Sequence, residues 1–561
     1  MKKHPSRRPP SPHALRNLDH RPPVTRREFL GRGLLSTGAT VVGVSSFFSL
    51  FAKPRKAYAT LAPDIQALVT TPCNIRAGAG KVPFIVFDLA GGGNIAGSNA
   101  LVGGAGGQLD FLTTAGYNKL GLPGNMIPNS SVGAGNFIST KLGLAMHSDS
   151  AYLRGITQRA AATTMNNVNG AVIPAISQTD TDLNPHNPMY GIHSAGAAGD
   201  LLVLIGTEAT PSGGNSMAPA YMIDATVNPT VVTQPSDVTG LVNTGSLVGL
   251  LDQADAVSVL ESVERISAAK LGQVSTNIAS QDTAIKNLVQ CSYVDAAYLV
   301  DKYGNALAAL DPTQDPNITG SGGIFSATDL QDSDFLATAS VMKMVINGYA
   351  GAGTIEMGGF DYHDSTRATG EQRDFKAGQC MGACLEYAAR VGVPLMIYVL
   401  SDGSLVSNGM PDNSVNGRGK GIWLADNTAT AASLMLVFDP KARPTALQQQ
   451  IGNYNSDGSV NATSSIAANA VNLLAETVVL NYMALHGQAG AFQALTYASG
   501  IGTGLGPAST YDSLIAFGQL ASVVNGHITC GRRAAAPRSL PASLIHRTPL
   551  ARIAVSGARS L

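Results

Sequence analysis

Three short runs along the chain are almost unbroken in apolar residues: Phe84-Ile85-Val86-Phe87-Asp88-Leu89, Leu395-Met396-Ile397-Tyr398-Val399-Leu400 and Leu434-Met435-Leu436-Val437-Phe438. Such runs, without polar alternates, predict strands buried on both faces, as a parallel sheet covered by helices requires. Thr354 to Met357 reads as a further strand. Apolar residues recurring at three- and four-residue spacing predict helices over 247–271, 326–350, 366–391 and 466–486. The fold class expected is therefore α/β, a largely parallel central sheet with helices on both faces. The stretch 207–246, rich in Pro, Thr and Val, reads as a long excursion with short strands, and no internal repeat is evident.

The N-terminus follows a different pattern. Thr25-Arg26-Arg27-Glu28-Phe29-Leu30 carries the adjacent arginines, polar residue, Phe and Leu of a twin-arginine export signal. A weakly apolar stretch from Leu34 to Phe51 follows, then Lys53, Arg55 and Lys56 before the small-x-small cleavage site Ala57-Tyr58-Ala59. The expected organisation is a signal peptide over 1–59, one large α/β domain over 60–530 and a disordered basic tail over 531–561. Its expected route is the twin-arginine translocase, and its expected place the periplasm. No other run reaches the length of a bilayer span, so no transmembrane anchor is expected in the mature form.

Composition and charge narrow the function classes. The 561 residues are 44% hydrophobic and only 13% charged, with 62 Gly and a formal net charge of zero. That zero hides an asymmetry, because the first 59 residues hold twelve Lys or Arg and the tail six Arg. The body between them holds 19 basic against 35 acidic side chains, which disfavours a nucleic-acid partner. The five cysteines show no paired metal-ligand spacing, so neither a disulfide framework nor a structural metal site is expected. Cys380 and Cys384, four apart in a helical stretch, read as small core residues.

Candidate chemistry gathers where predicted strands run into loops, the place where open α/β sheets bind ligands. The first and second apolar runs end in Ala90-Gly91-Gly92-Gly93-Asn94 and Ser401-Asp402-Gly403-Ser404. The strand at Thr354 ends in Gly358-Gly359-Phe360-Asp361-Tyr362-His363, and Ala425-Asp426-Asn427 precedes the third run. Asp361 and His363, two apart in an extended loop, project to one side and can reach one metal ion or simply hydrogen-bond each other. Asp402 can line a cleft or shape a tight turn, and His186, between Pro185 and Pro188, can do either. His147 reads as a helix-start residue rather than a ligand.

In Gly358–His363, the Ser-acid-Gly loop and Asp426, the chain resembles the twin-arginine-exported domain-of-unknown-function family 1501, related to the alkaline phosphatase and sulfatase superfamily. The Gly91–Asn94 loop and Asn184-Pro185-His186-Asn187 fall where that family has its glycine-rich and Ser-His motifs. The resemblance implies Asp361, His363 and Asp426 as metal ligands, with Asn94, His186, Asp402 and Asn427 lining the cleft. The superfamily's enzymes hold two metal ions at such a site; for this chain, with the departures that follow, one divalent ion (Zn, Mn or Ca) is expected. This chain departs from the pattern at two places: Asn94 is the nearest residue to the family's first-loop acid, and Asn427 stands where a His is expected. No nucleophile is evident; Thr163, Thr164 and Ser194 are candidates by proximity alone. Two functions compete. One is a non-catalytic periplasmic binding or assembly protein with a degenerate metal site, and the other a metal-dependent hydrolase of phosphate or sulfate esters.

Overall fold

The computed structural model describes residues 61–73, 80–129, 136–177, 184, 186–239, 251–275, 281–304 and 310–529. The expected signal peptide with its cleavage site, 1–59, and the expected tail, 531–561, lie outside these. A seven-stranded sheet forms the centre. Its strands are β1 (Phe84–Leu89), β2 (Val168–Pro174), β3 (Leu202–Gly206), β4 (Thr230–Val231), β5 (Ala350–Met357), β6 (Leu395–Ser401) and β7 (Ala432–Phe438). They lie in the order β2-β7-β6-β1-β5-β3-β4.

The sheet is mostly parallel, with one exception. β7 runs antiparallel to both β6 and β2, although its unbroken apolar run reads like its parallel neighbours. The reason lies in the connection. A parallel return needs a crossover, normally a helix, whereas 402–431 holds only a short two-stranded ladder and one turn of 3-10 helix. The chain leaves β6 and re-enters at the same edge, so β7 must run back.

The strands of the centre are buried on both faces. Alternate residues of β1 serve two cores: Ile85, Phe87 and Leu89 one, Phe84 and Val86 the other. The first core is roofed by α6 (Ser333–Ile346) and α7 (Ala368–Val391), the second by α3 (Met189–Ser194) and α8 (Val471–Leu485). Helix α2 (Ala151–Arg159) crosses α7 at backbone contact. A Cβ at Gly155 would lie 2.2 Å from the Phe375 carbonyl oxygen, and one at Gly378 would lie 2.4 Å from that of Tyr152. Cys380 and Cys384 are buried free thiols on α7.

A pair of long helices, α4 (Gln253–Gly272) and α5 (Asp282–Tyr303), packs against α1 (Pro63–Thr70). Cys73, just after α1, forms a disulfide with Cys291 on α5, against the expectation from cysteine spacing. Partners 218 residues apart leave no local spacing signal. Of the predicted excursion, the described part contains β4 and a short helix, Pro235–Thr239. Among the described residues no helix is long and apolar enough to cross a membrane.

Candidate metal centre

The carboxyl edge of the sheet gathers the loops after β1, β5 and β6 together with the entry to β7. Strand register explains the meeting, since β1 pairs with β5 through Leu89–Met357 and with β6 through Leu89–Ser401. Asp426 arrives by a separate device, a ladder in which it pairs with Leu405 just beyond β6. Asp361, His363 and Asp426 thereby come together, each offering one ligand atom, with all three atoms within 4.8 Å of one another. His363 Nε2 lies 2.7 Å from Asp361 Oδ1 and 3.5 Å from Asp426 Oδ2. Two carboxylates and an imidazole fit a divalent ion of the zinc or manganese type better than calcium, which prefers an all-oxygen shell. The group is open to solvent, the Asp361 side chain being 65% exposed.

The loop beneath this group is held by hydrogen bonds. Asp402 Oδ1 accepts from the backbone N–H groups of Gly91 (2.8 Å) and Gly92 (3.0 Å), and Asp402 Oδ2 from Asn215 Nδ2 (3.0 Å). Ser401 Oγ accepts from Gly93 N–H and donates to the Leu89 carbonyl. Gly91 has φ +116°, and a Cβ there would meet the Asp361 amide nitrogen at 2.4 Å. The glycine lets the Asp361 backbone rest directly on the loop.

The other sequence-predicted residues play structural parts. Asn94 is fully buried; its amide donates to the Ala96 carbonyl and its oxygen accepts from Ser98 Oγ, so it does not open onto the group. Asn427 Oδ1 accepts from Ala429 N–H and caps the turn Thr428–Thr430. His186 is buried with neither ring nitrogen hydrogen-bonded, and burial pushes its pKa down to about 4. His147 lies in a short strand ahead of α2, whose N-cap is Ser150, and bonds the Met126 carbonyl and Asp149 N–H. It is a core histidine, not a helix start. Thr164 bonds Glu386 on α7, ahead of β2, and Ser194 ends α3, ahead of β3. Both lie toward the amino edge, so neither supplies a nucleophile at this group.

Two features had no counterpart in the sequence pattern. Asp88 on β1 is fully buried and accepts from Ser216 N–H (2.7 Å) and Oγ–H (3.0 Å). Burial, with the Asp402 and Glu356 carboxylates nearby, pushes its pKa up to about 7. Glu356 on β5, opposite Asp88 in the register, is likewise pushed to about 7, by burial and then by Glu208, Asp334 and Asp402. Below the loops lies a buried ionic network. Glu371 meets Arg154 at 2.6 Å, Lys420 at 2.7 Å and Arg367 at 2.9 Å, and Arg367 stacks on Trp423.

Comparison with family models, curated proteins and solved structures finds no match.

Proposed function

We propose that this is an exported periplasmic protein with an alkaline-phosphatase-like fold, in which a single-ion site serves binding or assembly rather than ester hydrolysis. One observation carries the reading. Three donors converge at the carboxyl edge, yet the groups around them that a hydrolase would use are already engaged. The Gly91 and Gly92 N–H groups, suited to an anion, hold the chain's own Asp402 carboxylate. The Ser401 hydroxyl is fixed on the Leu89 carbonyl through Oγ–H, and Ser404 Oγ donates to the Thr430 carbonyl. Asn427, where the resembled family places a His, is a turn cap.

Asp361, His363 and Asp426 would hold the ion, which would supply a positive focus for an anionic ligand or a partner's carboxylate. Export is supported by Arg26-Arg27 and the cleavage motif, and a disulfide suits an oxidising compartment. The second reading, a hydrolase of phosphate or sulfate esters, draws on the same convergence at a sheet edge. Hydrolysis of p-nitrophenyl phosphate and sulfate, with zinc, manganese or calcium supplied, separates the two. No turnover above background is expected. Turnover that disappears in His363→Ala would replace the binding reading with the enzymatic one.

A further inference from the structure

We propose that the Cys73–Cys291 disulfide is a latch, closed after the body has folded, that fixes α1 onto the α4–α5 pair and opens on reduction. The noncovalent hold on α1 is slight. The helix has eight residues, too few to persist alone. It and the residue before its cap bury Leu61, Ile65 and Val69. Ala62 N–H donates to Glu261 Oε1 at 2.6 Å. The Arg265–Asp64 pair is bidentate, at 2.7 and 2.8 Å, but lies on the surface, where such pairs contribute little.

The covalent tie differs in kind. It joins positions 218 residues apart, across a ring that includes β1, β2 and β3, so in the folded chain its ends are brought together by tertiary structure and not by neighbouring sequence. Cys73 and Cys291 are both only partly buried, which leaves them open to exchange in the folded state. Cys380 and Cys384 are fully buried, and burial pushes the Cys380 thiol up to about 12 and holds the Cys384 thiol well above its ordinary value. The described thiols thus divide into an exchangeable pair and an inert pair. Closure removes two protons and two electrons from Cys73 and Cys291. The electrons pass, through a mixed disulfide, to a disulfide-bearing oxidant such as oxidised glutathione, which leaves as the dithiol or as two thiols. The export reading bears only on where closure takes place, and the test below does not depend on it.

Purified protein is first mapped for the cross-linked Cys73–Cys291 peptide, then nicked with trypsin under native conditions, with and without dithiothreitol. Arg76 lies between Cys73 and β1, so cleavage there severs α1 from the body except through the disulfide. In oxidised protein the segment that ends at Arg76 should co-elute with the body on gel filtration. After reduction nearly all of it should be lost, while the melting curve of the body stays in place. Oxidised glutathione added to reduced, un-nicked protein should restore the cross-link. Cys291→Ser should lose the segment without reductant. Should that variant fail to fold, the reductant arm on the natural sequence still decides. Retention of the segment after reduction would overturn the latch, as would free Cys73 and Cys291 in air-oxidised protein. Collapse of the body on reduction would overturn closure after folding.

Discussion

Replacing Asp88 with Asn should make the protein more stable above neutral pH and flatten its stability between pH 5 and 8. Asp88 is fully buried in β1, where its carboxyl is pushed to about 7 by burial, with Asp402 and Glu356 adding to the shift. An unfolded Asp titrates near 3.9, so between those values the native state holds a proton that the unfolded state has lost. Stability therefore falls as pH rises through this window. At about 1.4 kcal/mol per unit, the full shift of some three units amounts to a penalty of about 4 kcal/mol above pH 7, of which about 2–3 kcal/mol develops between pH 5 and 8. Asn preserves the geometry, because its oxygen can accept from Ser216 N–H and its amide can donate to Ser216 Oγ, the two partners that Asp88 now has. Urea unfolding at pH 5, 6, 7 and 8 measures both chains. The natural sequence should lose about 2–3 kcal/mol more across that range than Asp88→Asn. Parallel curves, or a variant less stable at pH 8, would refute the placement of a buried, proton-holding carboxyl in β1.

Other expectations follow from the same geometry. Gly91→Ala forces a side chain into a φ of +116° and into the Asp361 backbone; it should destabilise by at least about 1 kcal/mol in chemical unfolding and weaken divalent-ion binding. Burial alone would raise the Glu371 carboxyl, but Lys420 and Arg367 outweigh it and hold it at about 2, so its contribution is complete above the unfolded value near 4.3 and fades as pH falls toward 2. Glu371→Gln leaves Lys420 and Arg367 buried without their counter-charge and should cost about 3–5 kcal/mol at pH 7, read by urea titration; a loss below about 1 kcal/mol would contradict the buried network. Arg26→Lys with Arg27→Lys should retain the protein in the cytoplasm on cell fractionation, and unchanged export would remove the basis of the localisation proposed.

The parts of the fold that pattern revealed are those where burial is uniform. β1, β6 and β7 are continuous apolar runs and were placed to within two residues, as was the C-terminal end of α7, which stops at Gly392 with φ +81°. Helix α5 escaped because much of its surface faces solvent, so Asp282–Tyr303 carries too many polar positions for a clear apolar stripe. Strand β2 escaped because Asn169 and Gly170 interrupt it; Asn169 is nonetheless satisfied there by Pro444's carbonyl. The direction of β7 is invisible in side-chain pattern, since an apolar run reads the same either way.

The site divides similarly. Asp361 and His363 are two apart and were legible as a pair; Asp426 was suggested by the resemblance, not by local pattern, and the ladder that brings it to them had no sequence signal. Asp402 was legible as a loop residue but not as the acceptor for Gly91 and Gly92, because that contact spans more than three hundred residues. Long-range pairings, whether Asp402 with the glycine loop, Glu371 with Lys420 or Cys73 with Cys291, are set by topology and leave no local trace.

The claim at the centre of this account is that Asp361, His363 and Asp426 form one weak cation site. Isothermal titration of the chelator-treated protein with zinc and with manganese, alongside Asp361→Asn, His363→Ala and Asp426→Asn, tests it directly. One ion per chain should bind to the natural sequence, and each substitution should weaken binding by about tenfold or more. No binding at millimolar metal, or binding that all three substitutions leave unchanged, would contradict the account.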